Sequence, residues 1–443
     1  MSALETARDR FVADHRAFAD ARRGEPGWLA AHRRDAIAAF AARGLPTTRE
    51  EEWRYTNLAP LAAQPFALAE PARIARADLE ELATPLFACS LYPFANGRAL
   101  PELSSAPGLP GGARCDSLAA LLADGAGPIE ARLDHYVDIK LHPFAALNSA
   151  FASDGAVVRA PRGVAFEQPL HLVFASGAGD RPQVTHPRVI VVAEAGSRVT
   201  IVQDHVSLGS GVGFTNAVTE VHVGAGATVH WVLVQRENEA HFHVANLAVR
   251  QERDSTFTGH TLTLGGRLVR NDAGIVLAGE GASCTLDGLF VGGGESVLDN
   301  HTEIDHAVPH GTSQELYKGV LGGAARGVFR GRVIVRPDAQ KTSASQSNAN
   351  LLLGPRAEID TKPQLEIYAD DVKCSHGSTI GRLDENALFY LRSRGLPEPR
   401  ARDLLLRAFA LEVLERLPAR ALAEGLDDAV IECLRRAHGG ESS

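Results

Sequence analysis

The chain has 443 residues, 45% hydrophobic and 22% charged, which supplies a sizeable core and excludes a disordered polymer. Lys and Arg number 45 against 54 Asp and Glu, so the formal charge is −9; with no basic run, this is a poor binder of nucleic acid or anionic membranes. Five scattered cysteines without C-x-x-C argue against a disulfide framework or a self-contained zinc knuckle, and the absence of an apolar leader or of a run near the ~18 residues of a membrane span points to a reducing, cytoplasmic setting.

In chain order, residues 1–150 read as a helical and mixed region. Residues 3–43 are Ala- and Arg-rich without strand alternation, broken at Gly24 and Pro26, and Pro- and Gly-rich loops follow near 93–112. The pattern changes over 151–382. Of 42 glycines, 29 lie between Gly155 and Gly381, interleaved with Val, Thr, Leu and Ile. Period-2 runs at 188–193, 199–203, 218–223 and 228–234 predict strands. Small-residue turns precede Val-rich strands at 194–201 and 223–230, with echoes at 279–286, 337–342 and 354–360. A turn–strand unit repeated this often predicts a mainly β fold, either a β-solenoid or a large β-sandwich, and a solenoid needs capped ends. Over 383–443 helices return. Asp384 caps a helix over 385–394 that stops at Gly395-Leu-Pro, a second runs from about Pro399 to Leu417, and a third from about Leu426 to Ala437; the tail from Gly439 is expected to be disordered.

Common enzyme signatures are missing. There is no P-loop, H-E-x-x-H or G-x-S-x-G, and Gly209-Ser-Gly-Val-Gly lacks the dinucleotide spacing. Three polar constellations remain. Asp299, His301, Glu303 and Asp305 share one strand face, followed by His306 and His310. That face suits a metal, paired carboxylates or a subunit surface; a β-helix carbohydrate lyase or hydrolase using Asp299, Glu303 and Asp305 is the alternative function, although such enzymes are usually exported. His241 and His243 can face one metal, with no carboxylate or Cys beside them; they, or His376, would serve a self-sufficient metal-binding protein. Cys374 and His376, also at i and i+2, put a thiol and an imidazole on one side of an extended segment, a pair suited to iron or zinc. Asp370, Asp371 and Lys373 stand close enough to tune the thiol. Two ligands make half a site, so the rest must come from the fold, a partner chain or solvent.

Two further patterns lack an assigned chemistry. The chain has 40 Arg and only five Lys, yet Lys318, Lys341, Lys362 and Lys373 cluster. On the second C-terminal helix an apolar arc wider than usual includes Leu405, Phe409 and Val413, candidate partner-docking residues; the other reading is packing on the neighbouring helix 426–434.

The stretch 299–321, beginning Asp-Asn-His-Thr-Glu-Ile-Asp-His, resembles the SufB/SufD family of iron–sulfur cluster assembly proteins. So do Gly327-Val-Phe-Arg-Gly-Arg-Val-Ile-Val, Ala339-Gln-Lys-Thr, Gln346-Ser-Asn-Ala-Asn-Leu-Leu-Leu, Cys374-Ser-His-Gly, Leu388-Phe-Tyr-Leu-Arg-Ser-Arg-Gly-Leu and Gly44-Leu-Pro-Thr-Thr-Arg-Glu-Glu-Glu-Trp-Arg-Tyr-Thr. SufB-like chains carry a Cys near 347–353 and Glu-His-Glu in place of Cys-Ser-His; this chain has no Cys between 285 and 373, so it is more similar to the SufD branch. The resemblance implies a right-handed parallel β-helix flanked by N- and C-terminal helical regions. It implies a non-catalytic subunit of a scaffold complex, paired with SufB through the β-helix and with the ATPase SufC through the C-terminal helices, and supplied with sulfur by a cysteine desulfurase. It places Cys374 and His376 at the SufB interface as ligands of a nascent cluster or its iron. On this view the isolated chain holds no tightly bound cofactor, the cluster is transient, ATP acts only through the partner, and a homodimer is open when SufB is absent.

Overall fold

The computed structural model describes residues 2–85, 88–105, 108–124, 127–177, 179, 181–418 and 420–439. Of the tail expected from Gly439, that residue instead ends the helix Arg420–Gly439, and residues 440–443 lie outside the described ones. Each of the later coils consists of two strands of about ten residues joined by tight corners, and successive coils stack into a parallel β-solenoid of about eight turns. Register advances one coil at a time: Thr256 pairs with Ser283, 27 residues on, and Thr312 with Ser343, 31 residues on. The predicted strands fall inside Arg188–Ala193, Arg198–Ser207, Gly213–Val223 and Thr228–Arg236. Gly196 and Gly226 occupy equivalent corners of successive coils at φ 69° and 65°, where a side chain would strain the backbone.

Strand alternation divides the apolar residues between lumen and exterior. Val199, Ile201, Trp231, Leu233, Phe257, Leu286 and Phe290 fill the lumen. The opposite sides of these strands are also buried, as is usual for parallel sheets covered by helices. Helices Ala3–Asp20 and Gly27–Arg43, interrupted at Gly24 and Pro26 as expected, pack with Trp53, Phe144 and Phe151 on Phe214, Phe242 and Val244 of one sheet. The C-terminal helices Glu398–Leu414 and Arg420–Gly439 cover Val202, Val232, Leu262, Leu289 and Leu316 of the other.

The two ends of the solenoid differ. At the N-terminal end, strands Arg98–Ala99 and Arg114–Ser117 pair antiparallel with their neighbours and close the stack. At the C-terminal end, strands Glu358–Ile367 and Lys373–Gly381 are the last in their sheets among the described residues. Their side chains are mostly half-exposed or exposed, in contrast to the buried coils before them.

Candidate functional site

The open coil carries the Cys–His pair. Cys374 lies in register with Ala344 and His376 with Gln346. Partners in a parallel ladder point to the same side of the sheet. Gln346 is buried and donates to Glu315 inside the solenoid, so Cys374 and His376 also sit on the lumen side of the sheet. Since the last coil has no cover, Cys374 is half-buried beside Val333, Ala344 and Val372, and His376 is exposed. The thiol is not pre-activated. Burial raises the Cys374 pKa, with only a backbone hydrogen bond at Ala344 opposing it. Asp371 pairs instead with Lys341, and Lys373 points away from Cys374, its strand neighbour. A metal ion or a partner's positive charge is therefore needed to bring out the thiolate.

The other expected sites resolve differently. Asp299, His301, Glu303 and Asp305 do share the outer face of strand Val297–His306, but each carboxylate has its own arginine. Arg270 Nη1 lies 2.8 Å from Asp299 Oδ2, Arg332 Nη1 2.9 Å from Glu303 Oε2, and Arg336 Nη2 2.5 Å from Asp305 Oδ2. Asp299 is buried beneath the N-terminal region, where Thr56 donates to it and Arg270 stacks on Trp53 at 3.8 Å. Burial pushes its pKa up, but His301, Arg270 and Thr56 outweigh this and hold it well below the usual range. Carboxylates so neutralised do not provide a general acid and base, and the carbohydrate-active alternative is not favoured. His306 turns inward to Ser313, at 2.9 Å, and His310 pairs with Glu280 at 3.7 Å on a corner.

His241 and His243 are buried in the lumen, and a carboxylate does lie beside them. Glu237 Oε1 is 3.2 Å from His241 Nε2, and Glu237 Oε2 is 2.8 Å from His243 Nδ1. The lysine cluster is not one site. Lys318 binds the second C-terminal helix through Glu412 and the Phe409 carbonyl, Lys341 bridges a corner to Asp371, and Lys362 reaches Glu51 at 2.5 Å. Of the candidate docking residues, Leu405 and Phe409 are half-buried, whereas Val413 is fully buried against the solenoid and supports the helix from behind. The apolar surface that reaches solvent instead includes Phe389 (72% exposed), Tyr390 (58%) and Leu404 (41%). A helical-arc reading of one helix overlooks the first two, which lie on helix Glu385–Ser393.

Comparison with known proteins places the whole arrangement. Residues 174–409 match the family model described as SUF system FeS cluster assembly, SufBD core domain, and residues 14–172 match that of the SufBD protein N-terminal region. The chain belongs to the SufBD family. An iron–sulfur cluster assembly SufBD family protein of Synechocystis sp. is 34% identical over 414 residues, 92% of this chain and 91% of the relative. The iron–sulfur cluster assembly protein SufD of Escherichia coli is 33% identical over 383 residues, 86% and 87% of the two chains, and that of Bacillus subtilis is 29% identical over 308 residues, 68% of each. These SufBD relatives are assembly proteins by name. Among the described residues no helix is long and apolar enough to cross a membrane.

Proposed function

We propose that this chain is the SufD-type, non-catalytic subunit of a cytoplasmic SufBCD-type scaffold that assembles iron–sulfur clusters. The observation that carries the reading is the uncapped final coil, with Cys374 and His376 in its open mouth. Two exposed sheet edges side by side are a template for another chain's strands. SufB adds its own coil there, and its ligands complete the half-site. The nascent cluster, or its iron, is cargo held between the two chains: iron draws out the Cys374 thiolate, and His376 contributes an imidazole. No iron–sulfur cluster stays tightly bound to the chain alone.

Within this scheme residues 1–150 buttress the solenoid, 151–382 carry the pairing surface and 383–443 dock the ATPase SufC. Phe389, Tyr390, Leu404, Leu405 and Phe409 supply apolar contact. ATP acts only through SufC. The helix Glu398–Leu414 is fastened to strand Thr312–Leu321 by Lys318, so a SufC dimer that binds one helix position better than another shifts the solenoid with it. Sulfur comes from a cysteine desulfurase, and the same edges are open to a second copy of this chain when SufB is absent.

The test is cluster assembly on the intact complex with Cys374→Ala and His376→Ala combined. Loss of the cluster signal with the complex still assembled supports the ligand roles; normal assembly by the doubly substituted complex removes them.

A further inference from the structure

A second set of ligand-type side chains lies deep in the lumen and does not depend on the assembly reading. His205 is near the end of strand Arg198–Ser207. Glu237 and His243 flank the corner between strands Thr228–Arg236 and Phe242–Gln251. His205 pairs in register with Gln235 in one sheet, and His243 with Thr215 in the sheet opposite. The three side chains therefore meet across the lumen where two successive coils turn from sheet to sheet. One ligand atom from each lies within 4.8 Å of the other two, and all three residues are at most 1% exposed.

Two observations separate this group from an ordinary buried hydrogen-bond network. First, Nδ1 of His205 and Nε2 of His243 are buried without a hydrogen-bond partner. His243 Nδ1 lies 2.8 Å from Glu237 Oε2, a separation that two atoms bound to one ion also have. Second, groups that aim the ligands are already in place. Thr215 Oγ1 donates to Glu237 Oε1 at 2.6 Å and Gln235 Nε2 to Glu237 Oε2 at 2.9 Å, while the Gln203 amide holds the far ring nitrogen of His205 at 2.9 Å.

We propose that His205, Glu237 and His243 form a buried structural site for one divalent first-row transition metal ion, zinc or ferrous iron. Two imidazoles and a carboxylate are a donor set for either ion. The ion would link the coil that contains His205 to the next one, and both sheets to each other. With no exposed ligand it would enter as the chain folds and leave slowly.

The experiment measures metal in the full chain, expressed in medium supplemented with zinc or with iron, stripped with a chelator and analysed by mass spectrometry. The proposal predicts one chelator-resistant ion per chain, and the supplement that supplies it identifies the metal. The ion persists in Cys374→Ala/His376→Ala and is lost from Glu237→Gln and from His243→Gln. Cobalt-grown protein should show ligand-field bands in the visible. A folded parent chain free of metal overturns the proposal even where the variants fail to fold. So does an ion that survives Glu237→Gln and His243→Gln but disappears with Cys374 and His376.

Discussion

Thr56 Oγ1 donates a 2.5 Å hydrogen bond to Asp299 Oδ2 and so joins segments 243 residues apart in the chain. The contact fixes the N-terminal region on the solenoid, beside Trp53 stacked on Arg270. Thr56→Val removes one donor to a buried carboxylate that keeps Arg270 and His301, and should cost about 1–2 kcal/mol. Urea unfolding measures it; an unchanged midpoint would show that the contact contributes nothing net.

Arg188 is fully buried and serves two carboxylates, Asp134 at 2.6 Å and Glu220. Arg188→Met strands both, for an expected loss of roughly 3–5 kcal/mol. Arg188→Lys should recover little, because one ammonium cannot span both acceptors. Calorimetric melting of the two variants decides this, and a conservative rescue by Lys would contradict it.

Glu315 gives the pH dependence a definite sign. Burial in the lumen lifts its pKa to about 7, with Gln346 and Thr302 only partly offsetting the rise. Between the unfolded value of 4.5 and about 7 the folded state holds a proton that the unfolded state has lost, so stability falls as pH rises across this window. The loss is of the order of 3 kcal/mol by pH 8. Glu315→Gln should flatten this slope and melt higher than the parent chain at pH 8. His186, pushed down to about 3 by burial, works in the opposite direction, adding stability as pH rises from about 3 toward 6.5, and is common to both proteins. A variant whose difference from the parent is independent of pH would refute the assignment.

Lys318 Nζ donates to the Phe409 carbonyl at 3.1 Å, pairs with Glu412 and lies 4.3 Å from the Phe409 ring centre. Lys318→Ala should loosen helix Glu398–Leu414 by about 1–3 kcal/mol. Amide exchange of that helix would quicken and SufC would be retained less well, with SufB pairing intact. Unchanged exchange would remove Lys318 from the coupling.

Local pattern carried the strands well, since each Val-rich run and its small-residue turn is written in a dozen residues. Solenoid and sandwich were indistinguishable locally, because the choice rests on parallel pairing one coil apart, as between Thr256 and Ser283; the family resemblance supplied what periodicity did not. The same long-range spacing hid the partners of the Asp299–Asp305 face. Arg270 stands 29 residues before Asp299, Arg332 29 after Glu303 and Arg336 31 after Asp305, one coil away in each case. Glu237 escaped notice because it sits on a corner, outside the strand that holds His243. The third C-terminal helix begins at Arg420, ahead of the expected start near Leu426, and runs through Gly425. That glycine is retained inside the helix because a Cβ there would come within 2.5 Å of the Pro85 carbonyl.

The central claim is that the open final coil pairs with SufB while the C-terminal helices hold SufC. Its most direct test is to co-express the tagged chain with SufB and SufC from the same organism and determine the mass of the purified complex. The account predicts one SufB, one copy of this chain and two SufC. Recovery of the chain alone, with neither partner retained, would contradict it.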